Sequence, residues 1–284
     1  MLVSEIATIA GVEPFASWNT PICWTGFILF ADAIVFRARG DSWIRSAPRE
    51  FVALALASIP LWVVFEGYNL VIRNWSYVGL PDNPALRLFG YAWSFATISP
   101  AIFEGAELVA IARGAGKTGG AGQAGGVGRY GESSASDQPA PSALAAWPAL
   151  ATVAAGALML ASPFVVEPAI ARYLAAPVFL GFIFLLDPIN ARLGAESLTR
   201  DRTINLMMSG LVCGVLWEFW NYWARAKWMY TVPIMQQLKV FEMPLPGYLG
   251  FPPFGLECFT LYVFVRLLYV SLTSSPQRGR TIAL

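Results

Sequence analysis

Seven stretches of the chain, at about 18–36, 51–72, 89–112, 144–162, 171–188, 203–224 and 248–272, are apolar over lengths that match the hydrocarbon layer of a bilayer. A helix rises about 1.5 Å per residue, so roughly 20 residues cross roughly 30 Å of hydrocarbon. The expectation is an all-α integral membrane protein with seven transmembrane helices. With 56% hydrophobic and only 13% charged residues, the composition departs from soluble averages in the same direction.

Basic residues set the expected orientation, because short cytoplasmic loops carry the excess. Twelve of the nineteen Lys and Arg residues fall in alternate loops and the C-terminal tail, among them Arg37, Arg45, Arg113, Lys117, Arg129, Arg200, Arg278 and Arg280; six fall on the other side. The N-terminus is therefore expected outside and the C-terminus in the cytoplasm, in a bacterial inner membrane. The first seventeen residues show no basic n-region and no cleavage-type site, so the first span is expected to be kept.

An internal echo divides the chain. Glu218, Asn221 and Arg225 fall at i, i+3 and i+7, one face of a helix, and Glu66, Asn69 and Arg73 keep the same intervals. Each set is followed by a Trp-x-Tyr pair, Trp75 and Tyr77 or Trp228 and Tyr230, and then by a proline, Pro81 or Pro233. The similarity extends one helix upstream, where Gly26-Phe27-Ile28 with Asp32 matches Gly181-Phe182-Ile183 with Asp187. It also extends one helix downstream, where Pro100 and Glu104 match Pro253 and Glu257. Helices one to three thus recur as five to seven. A shift of four spans preserves direction, so the spacing predicts a 3+1+3 parallel internal repeat about an axis along the membrane normal.

In that organisation residues 1–112 form the first three-helix repeat, 144–170 the connector helix and 171–284 the second repeat. Residues 113–143 are rich in Gly, Ala and Ser and read as a flexible linker. Two nucleotide-like patterns in the linker, Gly120-x-Gly122-x-x-Gly125 and Gly116-Lys117-Thr118, lack the strand-to-helix context that phosphate binding needs.

The chain contains no histidine, which largely excludes imidazole-ligated haem, His-rich di-iron sites and Zn sites of the His-Glu type. Paired Asp-rich motifs for Mg²⁺-diphosphate are not visible either, so neither metal nor cofactor is expected. A net charge of +1 without a basic cluster gives no reason to expect nucleic acid. Cys23, Cys213 and Cys258 read as buried packing thiols.

Acids within apolar spans are the sharpest candidates for chemistry, because an ionised carboxylate there costs about 3 kcal/mol or more. A buried acid that keeps its proton is a competent donor to a substrate carbon. Glu66 and Glu218 lead, with Asn69, Asn221, Glu104 and Glu257 as catalytic partners; Asp32 and Asp187 lie near the cytoplasmic ends and read as packing or interfacial groups. Trp217, Trp220, Tyr222, Trp228, Tyr230, Trp75 and Tyr77, with Arg73 and Arg225, are the candidate substrate-binding residues. Ring faces can stabilise a cation, although an interfacial belt explains the Trp-x-Tyr pairs equally well. In the competing structural reading the Glu-Asn pairs join helix to helix and the arginines snorkel outward.

Trp217-Glu218-x-x-Asn221, Lys227-Trp228-x-Tyr230 and Gly250-Phe251-Pro252-Pro253 followed by Glu257 resemble the lycopene-cyclase domain of small membrane carotenoid cyclases. In bacteria these are built from two three-helix units, sometimes fused through an additional helix. In size and in offering one acid per half, the chain also resembles the seven-helix meroterpenoid cyclases, with Glu66 and Glu218 as the counterparts. The carotenoid pattern carries two adjacent acids shortly after a proline, whereas each copy here has one. The resemblance implies redox-neutral, proton-initiated cyclisation or isomerisation of an apolar isoprenoid or lipid substrate. Glu218 or Glu66 would protonate an alkene or epoxide, and a second acid or Asn would receive the proton on ring closure. A small transporter, or a non-catalytic protein that binds lipid or assembles with a partner, are the alternative expectations.

Overall fold

The computed structural model describes residues 1–114 and 143–273. Most of the expected linker, with its two glycine patterns, and Arg278 and Arg280 lie outside the described residues. The first segment holds a short helix α1 (Leu2–Ile9), α2 (Phe15–Arg39), the single turn α3 (Trp43–Ser46), α4 (Pro48–Ile72), strand β1 (Trp75–Val78) and α5 (Pro84–Ala112). The second holds α6 (Ala143–Val165), the turn α7 (Pro168–Ala171), α8 (Ala175–Arg192) and α9 (Arg200–Trp223). Strands β2 (Lys227–Tyr230), β3 (Lys239–Val240) and β4 (Met243–Pro244) follow, then a 3-10 segment (Leu245–Gly250) and α10 (Phe251–Thr273). Among the described residues, seven segments built on α2, α4, α5, α6, α8, α9 and α10 are long and apolar enough to cross a membrane.

The all-α expectation needs one correction. Residues 75–78 and 227–230, the two Trp-x-Tyr stretches, are strands that pair with each other antiparallel, and β3 pairs with β4 in a second small ribbon. Cross-strand partners are Trp75 with Tyr230 and Tyr77 with Trp228. Side chains alternate across a strand, so all four rings share one face. Ser76 and Val78 point to the exposed side.

Helix ends follow local chemistry. Asn83 caps α5 by accepting the amides of Ala85 and Leu86, with Pro84 in the first turn where a missing N–H costs nothing. Arg73 ends α4 in the left-handed region at φ 51° and turns the chain into β1.

Helix α5 runs through the middle, packed against α2, α4 and α9, while α10 packs against α8 and α9 and α6 lies along α8. Glycine sets the closest crossing. A Cβ added at Gly210 would overlap the Phe251 carbonyl oxygen, and one at Gly255 would overlap that of Leu206, so α9 and α10 meet backbone to backbone.

Helix α1 was not legible as a helix of its own. It folds back along α2 until Met1 lies beside Gly26, about 16 Å along α2 from its start. Ser4, Glu5 and Thr8 point inward while Leu2, Val3, Ile6 and Ile9 are exposed. Asn19 joins this polar face to the bundle: it accepts from Ser4 Oγ (2.7 Å) and donates to Glu5 Oε1 (2.8 Å) and the Trp220 carbonyl (3.1 Å).

Candidate functional site

The β1–β2 ribbon roofs an apolar cavity of about 620 Å³ that extends down between α2, α5, α8, α9 and α10. Trp75, Tyr77, Trp228 and Tyr230 line it from the ribbon, and Trp62, Trp217 and Phe254 form a ring cluster in its wall. Its size and apolar, aromatic lining are those of a small-molecule site.

Both leading acids stand directly behind this aromatic wall. Glu66 Oε1 accepts from Trp62 Nε1 (2.8 Å), Trp75 Nε1 (3.2 Å) and the Tyr77 hydroxyl (2.5 Å). Glu218 Oε1 accepts from the Tyr230 hydroxyl (2.8 Å), which in turn accepts from Trp228 Nε1 (2.9 Å). Glu218 is fully buried and its Oε2 has no hydrogen-bond partner. Neither carboxylate forms the cavity surface; Tyr77 and Tyr230 present their hydroxyls between acid and cavity. Burial, then the charge of the adjacent carboxylate, pushes both phenols above the ordinary tyrosine value, so they stay protonated donors.

Asn69 and Asn221, expected as catalytic partners, are occupied by strand backbone. Asn69 Oδ1 accepts the amides of Asn74 (2.8 Å) and Trp75 (3.2 Å), and its Nδ2 donates to the Trp75 carbonyl (2.8 Å). Asn221 exchanges the same kind of pair with Trp228, accepting at 3.0 Å and donating at 2.9 Å. Each amide fixes its strand to the helix that carries the acid.

The other expected residues scatter. Trp217, Trp75, Tyr77, Trp228 and Tyr230 line the cavity, but Trp220 packs in the core against Trp24 and Phe27, and Tyr222 is exposed beside Trp223 and Phe241. Arg225 forms an exposed ion pair with Glu13 (2.5 Å), and Arg73 contributes its carbonyl to the Thr231 hydroxyl (2.8 Å); neither lines the cavity. Their spacing matched a helix face, yet both fall beyond or at the helix end, where the face no longer holds.

Glu257 faces a separate void of about 10 Å³ with Ser58, Ser99 and Cys258, and neither of its carboxyl oxygens has a hydrogen-bond partner. Trp62, Ile98 and Phe254 separate that void from the main cavity. Glu104 is equally buried, near Asp32 and Glu107, and Glu107 pairs with Arg39. Asp32 and Asp187 each accept one backbone amide at 2.8 Å, from Ile44 of α3 and from Leu198 ahead of α9, and so fasten α2 and α8 to the segments that follow them.

Trp62 went unnoticed in the sequence although it lies one turn before Glu66, the i and i+4 spacing that lets side chains meet. Tyr91, Phe95 and Arg87 were also missed; they share the lining face of α5 at helical intervals. Among the described residues, no group of three or more Cys, Asp and Glu side chains is placed to hold a metal ion. No protein-family model matches the chain, and neither a curated protein nor a solved structure does so.

Proposed function

We propose that this chain is an integral-membrane cyclase or isomerase of terpenoid type, which binds an isoprenoid in the aromatic cavity and moves one proton on to it and one off. The observation that carries the reading is the pair of buried acids, each hydrogen-bonded to a tyrosine of the same cavity-lining ribbon. Glu66 Oε1 accepts three hydrogen bonds, one of them from the Tyr77 hydroxyl that can hand it a proton, and suits the proton-accepting side. Glu218 has a free oxygen able to carry a proton, so the Glu218–Tyr230 pair is the donor. Only the phenols reach the cavity, so Tyr230 gives its hydroxyl proton to an alkene carbon or epoxide oxygen and regains one from Glu218. The cation lies against the ring faces of Trp62 and Trp217, and Tyr77 takes a proton from a neighbouring carbon as the ring closes while passing its own to Glu66. The substrate gains and loses one proton, so no redox partner is needed.

In this reading the chain is a 3+1+3 parallel repeat. Helix α2 packs on α5 as α8 packs on α10, α4 on α5 as α9 on α10, and the ribbon takes one strand from each half. The distribution of basic residues supports placing the ribbon end outside a bacterial inner membrane, with the C-terminus in the cytoplasm.

Expression in cells that make linear carotenoid and meroterpenoid precursors tests the reading. Cyclised or isomerised product is expected with the native protein, and a loss of about 10²-fold or more with Glu66→Gln or Glu218→Gln. Unchanged product profiles with well-expressed native protein would sink it. One observation favours a second reading as a lipid-binding protein: neither carboxylate itself touches the cavity. Tight isoprenoid binding without conversion would decide for that reading.

A further inference from the structure

Near the end of the cavity beside the ribbon, two buried hydrogen-bond donors have no partner among the described residues. Thr20, on α2, is 6% exposed and lines the cavity, and its Oγ1 has no partner. The indole Nε1 of Trp18, two residues earlier, is buried and unpartnered, and lies against Gly90 of α5. One turn up α5 from Gly90, Arg87 also lines the cavity; it donates from Nε and Nη2 to the Pro81 carbonyl (both 3.1 Å), and no carboxylate pairs with it among the described residues. Among the described residues, the cavity lining holds two cations, Arg87 and Lys227, and no acid. Lys227 is bound to Glu242 (2.6 Å), and the nearby Glu13 is taken up by Ser17 and Arg225, which leaves Arg87 without a countercharge.

Below these donors polarity falls away. The lining face of α5 runs from Arg87 to Ile102, about 22 Å along the helix, and ends among Ile98, Ile102 and Gly214. We propose that the cavity binds a single-chain amphiphile, its anionic oxygen head, a carboxylate or a phosphate monoester, held by Arg87, Trp18 and Thr20 and its prenyl tail running down the slot. Trp18 Nε1 and Thr20 Oγ1 are buried donors with no acceptor, which is costly, and a ligand head group that accepts from them removes that cost, while the exposed Arg87 guanidinium at the cavity mouth adds the strong, charge-assisted contact to a carboxylate or phosphate. Tyr77 packs on Tyr91 and Trp62 on Phe95, one and two turns below Arg87. The acid-backed rings therefore meet carbons about 6–12 Å from the head, well before the end of the tail.

This assignment rests on the cavity being the ligand site of the proposed function, and it is tested by binding without turnover. The detergent-purified protein is titrated with geranylgeranyl phosphate, geranylgeranoic acid and geranylgeraniol, and affinities are read by native mass spectrometry. The two anionic ligands are expected to bind about tenfold tighter than the alcohol, and Arg87→Gln to bring all three to about the same affinity. Arg87→Lys, which keeps the charge, should retain part of the difference, and Thr20→Val should weaken the anionic ligands by about threefold. Equal affinities across the three heads, or anionic affinities indifferent to Arg87→Gln, overturn the proposal. A competition arm with dioleoyl phosphatidic acid distinguishes a bilayer headgroup: if it displaces geranylgeranyl phosphate as well as unlabelled ligand does, the single-chain assignment is wrong. Equal head affinities alongside intact conversion would remove only this inference. Head discrimination alongside products indifferent to Glu66→Gln and Glu218→Gln would remove only the catalytic reading.

Discussion

Glu66 and Glu218 sit at matching positions of two helices, yet their hydrogen-bond complements differ, with three donors on one and a single phenol on the other. Tyr77 and Tyr230 carry a pH signature that follows from burial. An unfolded tyrosine ionises near pH 10, and both native phenols hold their protons above that. Below pH about 10 folded and unfolded chains are equally protonated; above it only the unfolded chain releases protons, so stability falls as pH rises. Replacing both with Phe should flatten that alkaline slope in detergent unfolding curves, and phenolate absorbance at pH about 11 should be no lower in the variant than in the native fold. Asn69→Ala leaves the amides of Asn74 and Trp75 without their acceptor and is expected to cost about 1–3 kcal/mol, read as a lower thermal midpoint. The acids and asparagines were legible because helical spacing repeats them; the arginines misled because the same spacing continues past the point where each helix stops.

Apolar length alone located the seven spans, since hydrocarbon thickness dictates it, and the boundaries shifted by only a few residues. The ribbon was illegible for the opposite reason: two four-residue strands show no usable period, and their partners lie about 150 residues apart in sequence. Helix α1 escaped notice because its polarity is inverted, polar residues inward and apolar residues outward, which suits lipid and not water. The α9–α10 crossing gives a test at this scale. Gly255→Ala must push Leu206 backbone aside and is expected to cost about 1–3 kcal/mol, whereas Gly250→Ala meets open space and should leave the midpoint unchanged. Equal midpoints for the two variants would show that the crossing is looser than described.

Across the whole molecule, one strand from each half closes the cavity, and α5 and α9 pack the halves together below it. Residues 1–114 and 143–284, expressed as two chains, are therefore expected to copurify through a tag on either one, and deletion of 74–78 should weaken that association. Trp62 belongs to both halves of this arrangement: it donates to Glu66, stacks near Trp217 and Phe254, and walls off the void that holds Glu257. With the other ten tryptophans replaced, the indole at that position becomes an optical probe, its emission colour set at once by what fills the large chamber and by whether the small chamber is wet.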